Sequence, residues 1–449
     1  MIQVSPNFSV EDYGCGKLSK TLNAKEIALS FDLSLTENSI LVLDGEPTAV
    51  LVWFTLRLIE SKVPFVFIQN PEAADVQQSY SDATGLLDIK LSVLKVLPDS
   101  IEHQVTVGTQ PLPQENETLC FFMTSGTTGQ PRMIEFTSNG VMNALTGLVK
   151  ATGKDCWSGR VLQSNACEFD AFLEELLLTA IYGGVLVIPH IKIIDAIYSL
   201  DDVFEQYSID TIDIPTGVFN AFTILSGKRV NNRQITVVIG GQAYFPPALR
   251  VFKQIFPNSL VVNSYGPTEA TITCAAYVLE KGSTRQIVGF PYPNVDWRIC
   301  HQGNRDSIGE LLLSGIQVKN LCQANDPSNS FSHTWFKTGD LVRETEEGLE
   351  YISRCNDVEK IAGLRVNLSI VSTELEALLN QRVWLSKESS TSGIDMVKVS
   401  LIDVPKQKRS KVAKEVKMYL QKRGIPSMIS FQKNIPLSKR GKEVSRFHE

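Results

Sequence analysis

Residues 119–132, LCFFMTSGTTGQPR, set the strongest limit on how this chain folds. Leu119 to Met123 is an apolar run of strand length that leads straight into hydroxyls and glycines, as a buried strand does at a phosphate-binding turn. Gly126 and Gly129 let backbone amides approach a polyphosphate with no Cβ in the way. Ser125, Thr127 and Thr128 offer hydroxyls across the span Thr124 to Gly129, and Arg132 adds charge. The familiar P-loop pattern, with a Gly-Lys pair running into Ser or Thr, is absent, so a different nucleotide chemistry is implied. An ordinary solvated turn has the same composition, and the rest of the chain must decide.

A chain of 449 residues is too long for one core and predicts two or three units. Its eight cysteines form no C-x-x-C pair, which argues against a zinc site or a disulfide framework. The most apolar stretch, Ile40 to Ile59, is broken by Asp44, Glu46 and Arg57, and Met1 to Val10 lacks a basic start and an apolar core. These features predict a soluble, cytoplasmic protein with no membrane partner. Charge is unevenly divided. Residues 401–449 carry thirteen Lys/Arg against four Asp/Glu, although the whole chain is acidic at −6. The basic end is either a solvated surface or a face for an acidic or phosphate-bearing partner. Few aromatics interleave it, which disfavours nucleic acid.

Strands are predicted at Ser39 to Asp44, Pro64 to Gln69, Val161 to Gln163, Val185 to Ile188, Thr211 to Ile214, Gln234 to Ile239 and Ser259 to Asn263. Helices are predicted at Thr48 to Lys62, from a Ser138 cap to Lys150, and from Asp170 onward, where apolar residues recur at 172, 173, 176, 177, 180 and 181. The alternation implies an α/β fold: a large N-terminal domain of mostly parallel sheets flanked by helices. Thr124 to Gly129, Gly240 to Gln242 and Tyr265 to Glu269 all follow strands, so the carboxyl ends of the sheet would bring them to one crevice. From about residue 286 to 355 the pattern turns β-rich, with Asp340 in a tight turn. A hinge near Arg354 to Asp357 would separate residues 1–355 from a small α+β unit, 356–449.

Four segments in order, TSGTTGQPR, NSYGPTE, TGDLVR and SRCNDVEKIAGLR, resemble the signature set of the adenylate-forming superfamily. The stretch FDAFLEELLLTAIYGGVLVI is most similar to the substrate helix of the amino-acid adenylation domains of non-ribosomal peptide synthetases. The resemblance implies ATP and Mg2+ as cofactors and a mobile C-terminal lid. Thr124 to Gly129, including Thr128, would hold phosphates with Arg132, and Glu269 would help hold Mg2+. Gly241, Gln242, Gly266 and Thr268 would line the nucleotide site, Tyr265 would stack on adenine, and Asp340 and Arg354 would bind ribose. Lys442 would reach in from the lid to meet the substrate carboxylate and the α-phosphate.

Within the same resemblance Asp170 would bind the α-ammonium of an amino acid. Glu174, one helical turn on, would meet its side chain. The remaining pocket positions would be Ala171, Ile212, Val238, Gly240, Ser264, Ile272 and Thr273, which leaves Glu174 as the pocket's side-chain charge. A buried carboxylate with no partner is costly, so the substrate would be a diamino acid such as lysine or ornithine, unless Glu174 is solvated. Adenylation would be followed by transfer to the phosphopantetheine thiol of a free-standing carrier protein, with coenzyme A or an amine as other acceptors. Two further readings stay open: an acyl-CoA ligase for a non-amino acid, and an inactive nucleotide-binding partner of another synthetase. Arg132 in place of the usual loop lysine and Asn356 in place of the hinge aspartate motivate the latter.

Overall fold

The structure, a computed structural model, describes residues 2–13, 20–23, 39–68, 91–98, 100–107, 118–125, 131–196, 199–225, 230–301, 307–318, 335–361, 364–389, 395–402 and 404–432. Strands β1 (Ser9–Asp12) and β2 (Lys20–Asn23) come first. Next are β3 (Ile40–Asp44), β4 (Phe65–Phe67), β5 (Leu91–Val96), β6 (Ile101–Val107), β7 (Thr118–Ser125) and β8 (Pro131–Thr137). The last six form one sheet in the order β6-β5-β3-β4-β7-β8. Its middle is parallel and buried on both faces, which is why β3 reads as an unbroken apolar run rather than an alternating one. The helix Ala49–Glu60 covers it, capped by Thr48 Oγ1, which accepts from the Leu51 N–H at 3.2 Å.

β7 and β8 are antiparallel partners, so the hydroxyl-rich segment joins the two arms of a hairpin instead of leading into a helix. The helix that follows β8, Ser138–Thr152, is capped by Thr137 rather than Ser138. Thr137 Oγ1 accepts from the Gly140 N–H at 3.1 Å. Gly147 of that helix lies flat on the Tyr292 ring, where an added Cβ would stand 2.1 Å from a ring carbon.

The second sheet takes in β9 (Arg160–Leu162), β10 (Val185–Ile188), β11 (Thr211–Pro215), β12 (Thr236–Gly240), β13 (Leu260–Tyr265) and β14 (Ala275–Val278). Its order is β14-β13-β12-β11-β9-β10-β1-β2, with parallel pairing from β1 through β13 and antiparallel strands at both edges. The helix Asp170–Tyr182 lies against it, buried from Phe172 to Ala180, and stops at Gly183 in the left-handed conformation at φ +76°. Ile212, Val237 and Ile239 face one apolar cluster, while Val238, Val262, Leu173 and Ile272 face another. Successive residues of one strand thus serve opposite sides of the sheet.

A five-stranded antiparallel sheet follows in the order β15-β19-β18-β17-β16. Its strands are β15 (Ile287–Gly289), β16 (Val295–His301), β17 (Ile308–Gly315), β18 (Phe336–Thr345) and β19 (Gly348–Arg354). The β-rich expectation for this region matches, but Asp340 stands inside β18 and not in a turn. Gly339 just before it takes φ +71°, a kink that the Thr-Gly-Asp sequence mimics as a turn.

Beyond it come the hairpin β20 (Val358–Ile361) and β21 (Leu364–Asn367) and the helix Leu368–Leu379. A sheet of β22 (Val383–Ser389), β23 (Asp395–Ile402) and β24 (Ser427–Gln432) follows, with the helix Arg409–Gln421 before its last strand. Ile361, Leu368, Leu375, Leu385, Val399, Leu401, Val416 and Leu420 give this part its own buried cluster. It rests on the preceding part partly through Arg382, whose guanidinium lies 5.0 Å above the Phe245 ring and 3.0 Å from Glu376 of the helix just before it.

Candidate active site

Parallel β11, β12 and β13 stop side by side, so Pro215, Gly240 and Tyr265 meet along one edge. At this edge the structure joins two distant stretches. Tyr265 Oη donates to Asp340 Oδ2 at 2.6 Å, and Arg354 Nε lies 3.0 Å from Asp340 Oδ1. Thr338 sets up both partners: its hydroxyl accepts from the Asp340 N–H at 3.0 Å, and its carbonyl accepts from Arg354 Nη1 at 2.9 Å. Burial pushes the Asp340 carboxyl above its usual range, against the pull of the Arg354 charge and the Tyr265 hydroxyl. Tyr265 is driven well up, first by burial and then by the Asp340 charge.

Thr124 sits opposite Arg132 in the β7–β8 ladder, so the two side chains share a face at the mouth of the hairpin. Thr124 Oγ1 is buried and meets no hydrogen-bond partner among the described residues. A buried orphan hydroxyl beside a cation is what an incoming anion would satisfy. Ser125 ends β7; Gly126, Thr127, Thr128 and Gly129, like Lys442, lie outside the described residues.

Past β13, Glu269 stands half-buried in the single turn Thr268–Ala270. The chain then makes an unusual bend: Thr271 and Ile272 both take positive φ, 57° and 65°, which for a β-branched residue is strained. Buried Gln317 holds the bend. Its Nε2 donates to the carbonyls of Ala270, Thr271 and Thr273 at 3.0, 3.3 and 2.8 Å, and its Oε1 accepts from Asn143 Nδ2 at 2.6 Å. Gly266 lies so close beneath that an added Cβ would stand 2.6 Å from the Ile272 carbonyl oxygen. Sequence reasoning missed Gln317, because its role is created by a bend nearly fifty residues away.

The helix Asp170–Tyr182 places Asp170 in its first turn and Ala171 and Glu174 on the way to the sheet. Glu174 is 2% exposed, and its Oε2 finds no donor among the described residues. What faces it is another acid, Asp213 of β11, in hydrogen-bond contact with the Glu174 side chain. Two carboxyls can bond only through a shared proton. Accordingly Glu174 is driven well above the carboxylate range, by burial first and then by the Asp213 charge, and burial pushes Asp213 up to about 7.

Neighbouring Glu175 is engaged quite differently, taking the Ser164 and Asn165 N–H groups at 3.1 and 3.4 Å, the Asn165 amide at 2.9 Å and the Ser164 hydroxyl. Ser164 and Asn165 in turn donate to the Asp213 carbonyl. Glu175 therefore fixes the strand, while Glu174 keeps its Oε2 without a donor among the described residues.

Ile212 corrects the sequence reading. It pairs with Val237 and packs in the apolar cluster on the far side of the sheet, whereas Asp213 pairs with Val238. On β11 the residue on the same side as Val238 is one further on, Asp213, and a shift of one flips the face. Of the other predicted positions, Val238 and Ile272 are buried in the same cluster. Gly240 lies against Ser264, whose hydroxyl is spent on the Ile239 carbonyl at 3.1 Å. The Thr273 hydroxyl reaches Tyr292 Oη at 3.3 Å.

Residues 39–320 match the family described as AMP-binding enzyme, well over half of the chain. The chain belongs to the AMP-binding enzyme family. Bacitracin synthase 3 of Bacillus licheniformis is 25% identical over 323 residues, which are 69% of this chain and 5% of that protein. The chain thus spans a small part of that relative. Among solved structures, Klebsiella oxytoca NpsA in complex with 3-hydroxyanthranilyl-AMSN superposes with a TM-score of 0.71 at 17% identity, covering 97% of this chain and 94% of that one. The O-succinylbenzoate coenzyme A synthetase of Bacillus subtilis, in complex with ATP and magnesium ion, superposes at 0.69 and 16% identity, covering 97% and 94%. At such identity these two establish the fold. This AMP-binding enzyme is an adenylate-forming ligase whose relatives are non-ribosomal peptide synthetases, and none of its described helices is long and apolar enough to cross a membrane.

Proposed function

We propose that this AMP-binding enzyme activates an amino acid bearing a second amine, of the size of lysine or ornithine, as its adenylate, and passes it to the phosphopantetheine thiol of a carrier protein. The single observation that carries the substrate choice is the buried carboxyl of Glu174, four residues from Asp170, with no donor for its Oε2. Asp170 would take the α-ammonium and Glu174 the distal one, at a separation that suits a side chain of a few methylenes. A neutral side chain would leave Glu174 Oε2 buried without a donor.

The nucleoside would lie against Tyr265, Asp340 and Arg354, and the phosphates against Gly126 to Gly129, the orphan Thr124 hydroxyl and Arg132. Glu269 would give a hard carboxylate oxygen to Mg2+, an ion that keeps most of its ligands as water and phosphate oxygen. Bound there, the ion would neutralise charge on the departing pyrophosphate. The substrate carboxylate attacks the α-phosphorus and pyrophosphate leaves; Lys442, carried by residues 356–449 as a mobile lid, would stabilise the charge of that step. The basic helix Arg409–Gln421 would suit an acidic carrier surface.

Substrate-dependent exchange of pyrophosphate into ATP, run across amino acids and non-amino carboxylic acids, tests this reading. Exchange with lysine or ornithine supports it. Exchange only with an aryl or fatty acid would make the protein an acyl ligase, and exchange with no acid would make it a nucleotide-binding partner.

A further inference from the structure

The paired acids raise a question that a simple counter-charge does not answer. One carboxylate is enough to receive an ammonium, yet two are buried in contact, Glu174 at 2% and Asp213 at 5% exposure. Among the described residues, the charges named as acting on them are acidic. Asp170 and Glu175 of the same helix both press on Glu174, and Asp170 presses on Asp213. From the facing elements, Tyr292 Oη feels Glu174, and the Cys120 thiol of β7 feels Asp170. With no described cation beside them, the two carboxyls stay in contact only while a proton lies between them.

We propose that Glu174 and Asp213 form a proton-exchanging receptor for the distal cation of the substrate: the ammonium enters between the two carboxyls as the proton they share leaves to solvent. The exchange removes one positive charge and brings in one, so the charge of the buried site is unchanged. The carboxyl O–H bond breaks, the proton passes to water, and ammonium N–H groups replace it as donors to both carboxylates, including Glu174 Oε2. Retaining the proton would leave the ammonium one carboxylate and a blocked partner. Asp213 is thereby a specificity-determining residue, held in place by the Glu175 clamp on Ser164 and Asn165. The inference rests on the basic-substrate reading above and goes beyond it in predicting a coupled proton.

The test is the pH dependence of KM for L-lysine in pyrophosphate exchange between pH 6 and 8, with L-norleucine, which has the same length and no second amine, as the comparison. For the native enzyme KM for lysine should fall up to about tenfold per pH unit on the acid side of neutrality and level off above it, since the ligand competes with a proton. Any exchange with norleucine should lack that slope. In D213N, or in E174Q should the first variant fold poorly, the slope should weaken, because only the proton that burial holds on the remaining acid is left to be displaced. A lysine KM that is flat with pH in the native enzyme, or a slope that is unchanged in the folded variants, overturns the inference while leaving the basic-substrate reading standing. Absence of exchange with both lysine and ornithine overturns the two together.

Discussion

Tyr265 and Asp340, seventy-five residues apart, share a hydrogen bond of 2.6 Å that ties the end of a parallel sheet to a strand of the antiparallel one. Arg354 closes the group from the other side of the carboxylate. Removing only the Tyr265 hydroxyl, as in Tyr265→Phe, keeps the ring and should raise KM for ATP by about two- to tenfold, the worth of one hydrogen bond. Asp340→Ala should cost far more. The ratio is read from ATP titrations of the exchange reaction, and equal values for both variants and the native enzyme would remove this cluster from the nucleotide site.

Glu174→Gln keeps the shape of the pocket and removes a charge. It should lower kcat/KM for lysine or ornithine by about 10²-fold, the 2–3 kcal/mol of a charge-assisted contact, while affecting neutral amino acids little. A uniform loss across all substrates would show that Glu174 does not meet the side chain.

The same pair predicts how stability varies with pH. Both acids have folded pKa values above their unfolded ones, so between about pH 4 and about pH 7 the folded protein binds more protons than the unfolded chain, and this contribution to stability is lost as pH rises. D213N should therefore lose less stability than the native protein between pH 5 and pH 7.5, measured as the shift in urea midpoint. Parallel shifts in the two proteins would contradict the shared proton.

Gln317 should matter out of proportion to its distance from any ligand. Gln317→Ala leaves three carbonyls and Asn143 without the amide and should destabilise the protein by about 2–4 kcal/mol in urea unfolding. A change under about 0.5 kcal/mol, the size typical of an uninvolved surface position, would show that the Thr271–Ile272 bend supports itself.

Lys442→Ala should abolish adenylate formation and leave ATP binding largely intact, judged by exchange activity against equilibrium nucleotide binding. Native exchange rates in the variant would exclude Lys442 from the reaction.

Much of this architecture was legible in the order of residues. The apolar runs at Ile40–Asp44 and Thr211–Pro215 announce buried parallel strands, and the spacing from Phe172 to Ala180 announces the helix that carries Asp170 and Glu174. The strand Ile101–Val107 was not legible, since IEHQVTV reads as polar and lies at a sheet edge. Thr137 and Ser138 can both cap, and only the path of the chain chooses between them. Asp213 escaped because alternation along a strand has no memory of which face is inward, and the neighbour Ile212 looked like the pocket lining. Composition cannot report that Glu174 and Asp213, far apart in the chain, will be buried against one another; packing alone does that.

Arg382 has a carboxylate partner, Glu376, in its own part of the chain and an aromatic ring, Phe245, across the boundary. Were residues 356–449 to act as a mobile lid, parting there would carry the ion pair along with residues 361–431 and forfeit a cation–ring attraction of roughly 0.5–2 kcal/mol without stranding that charge.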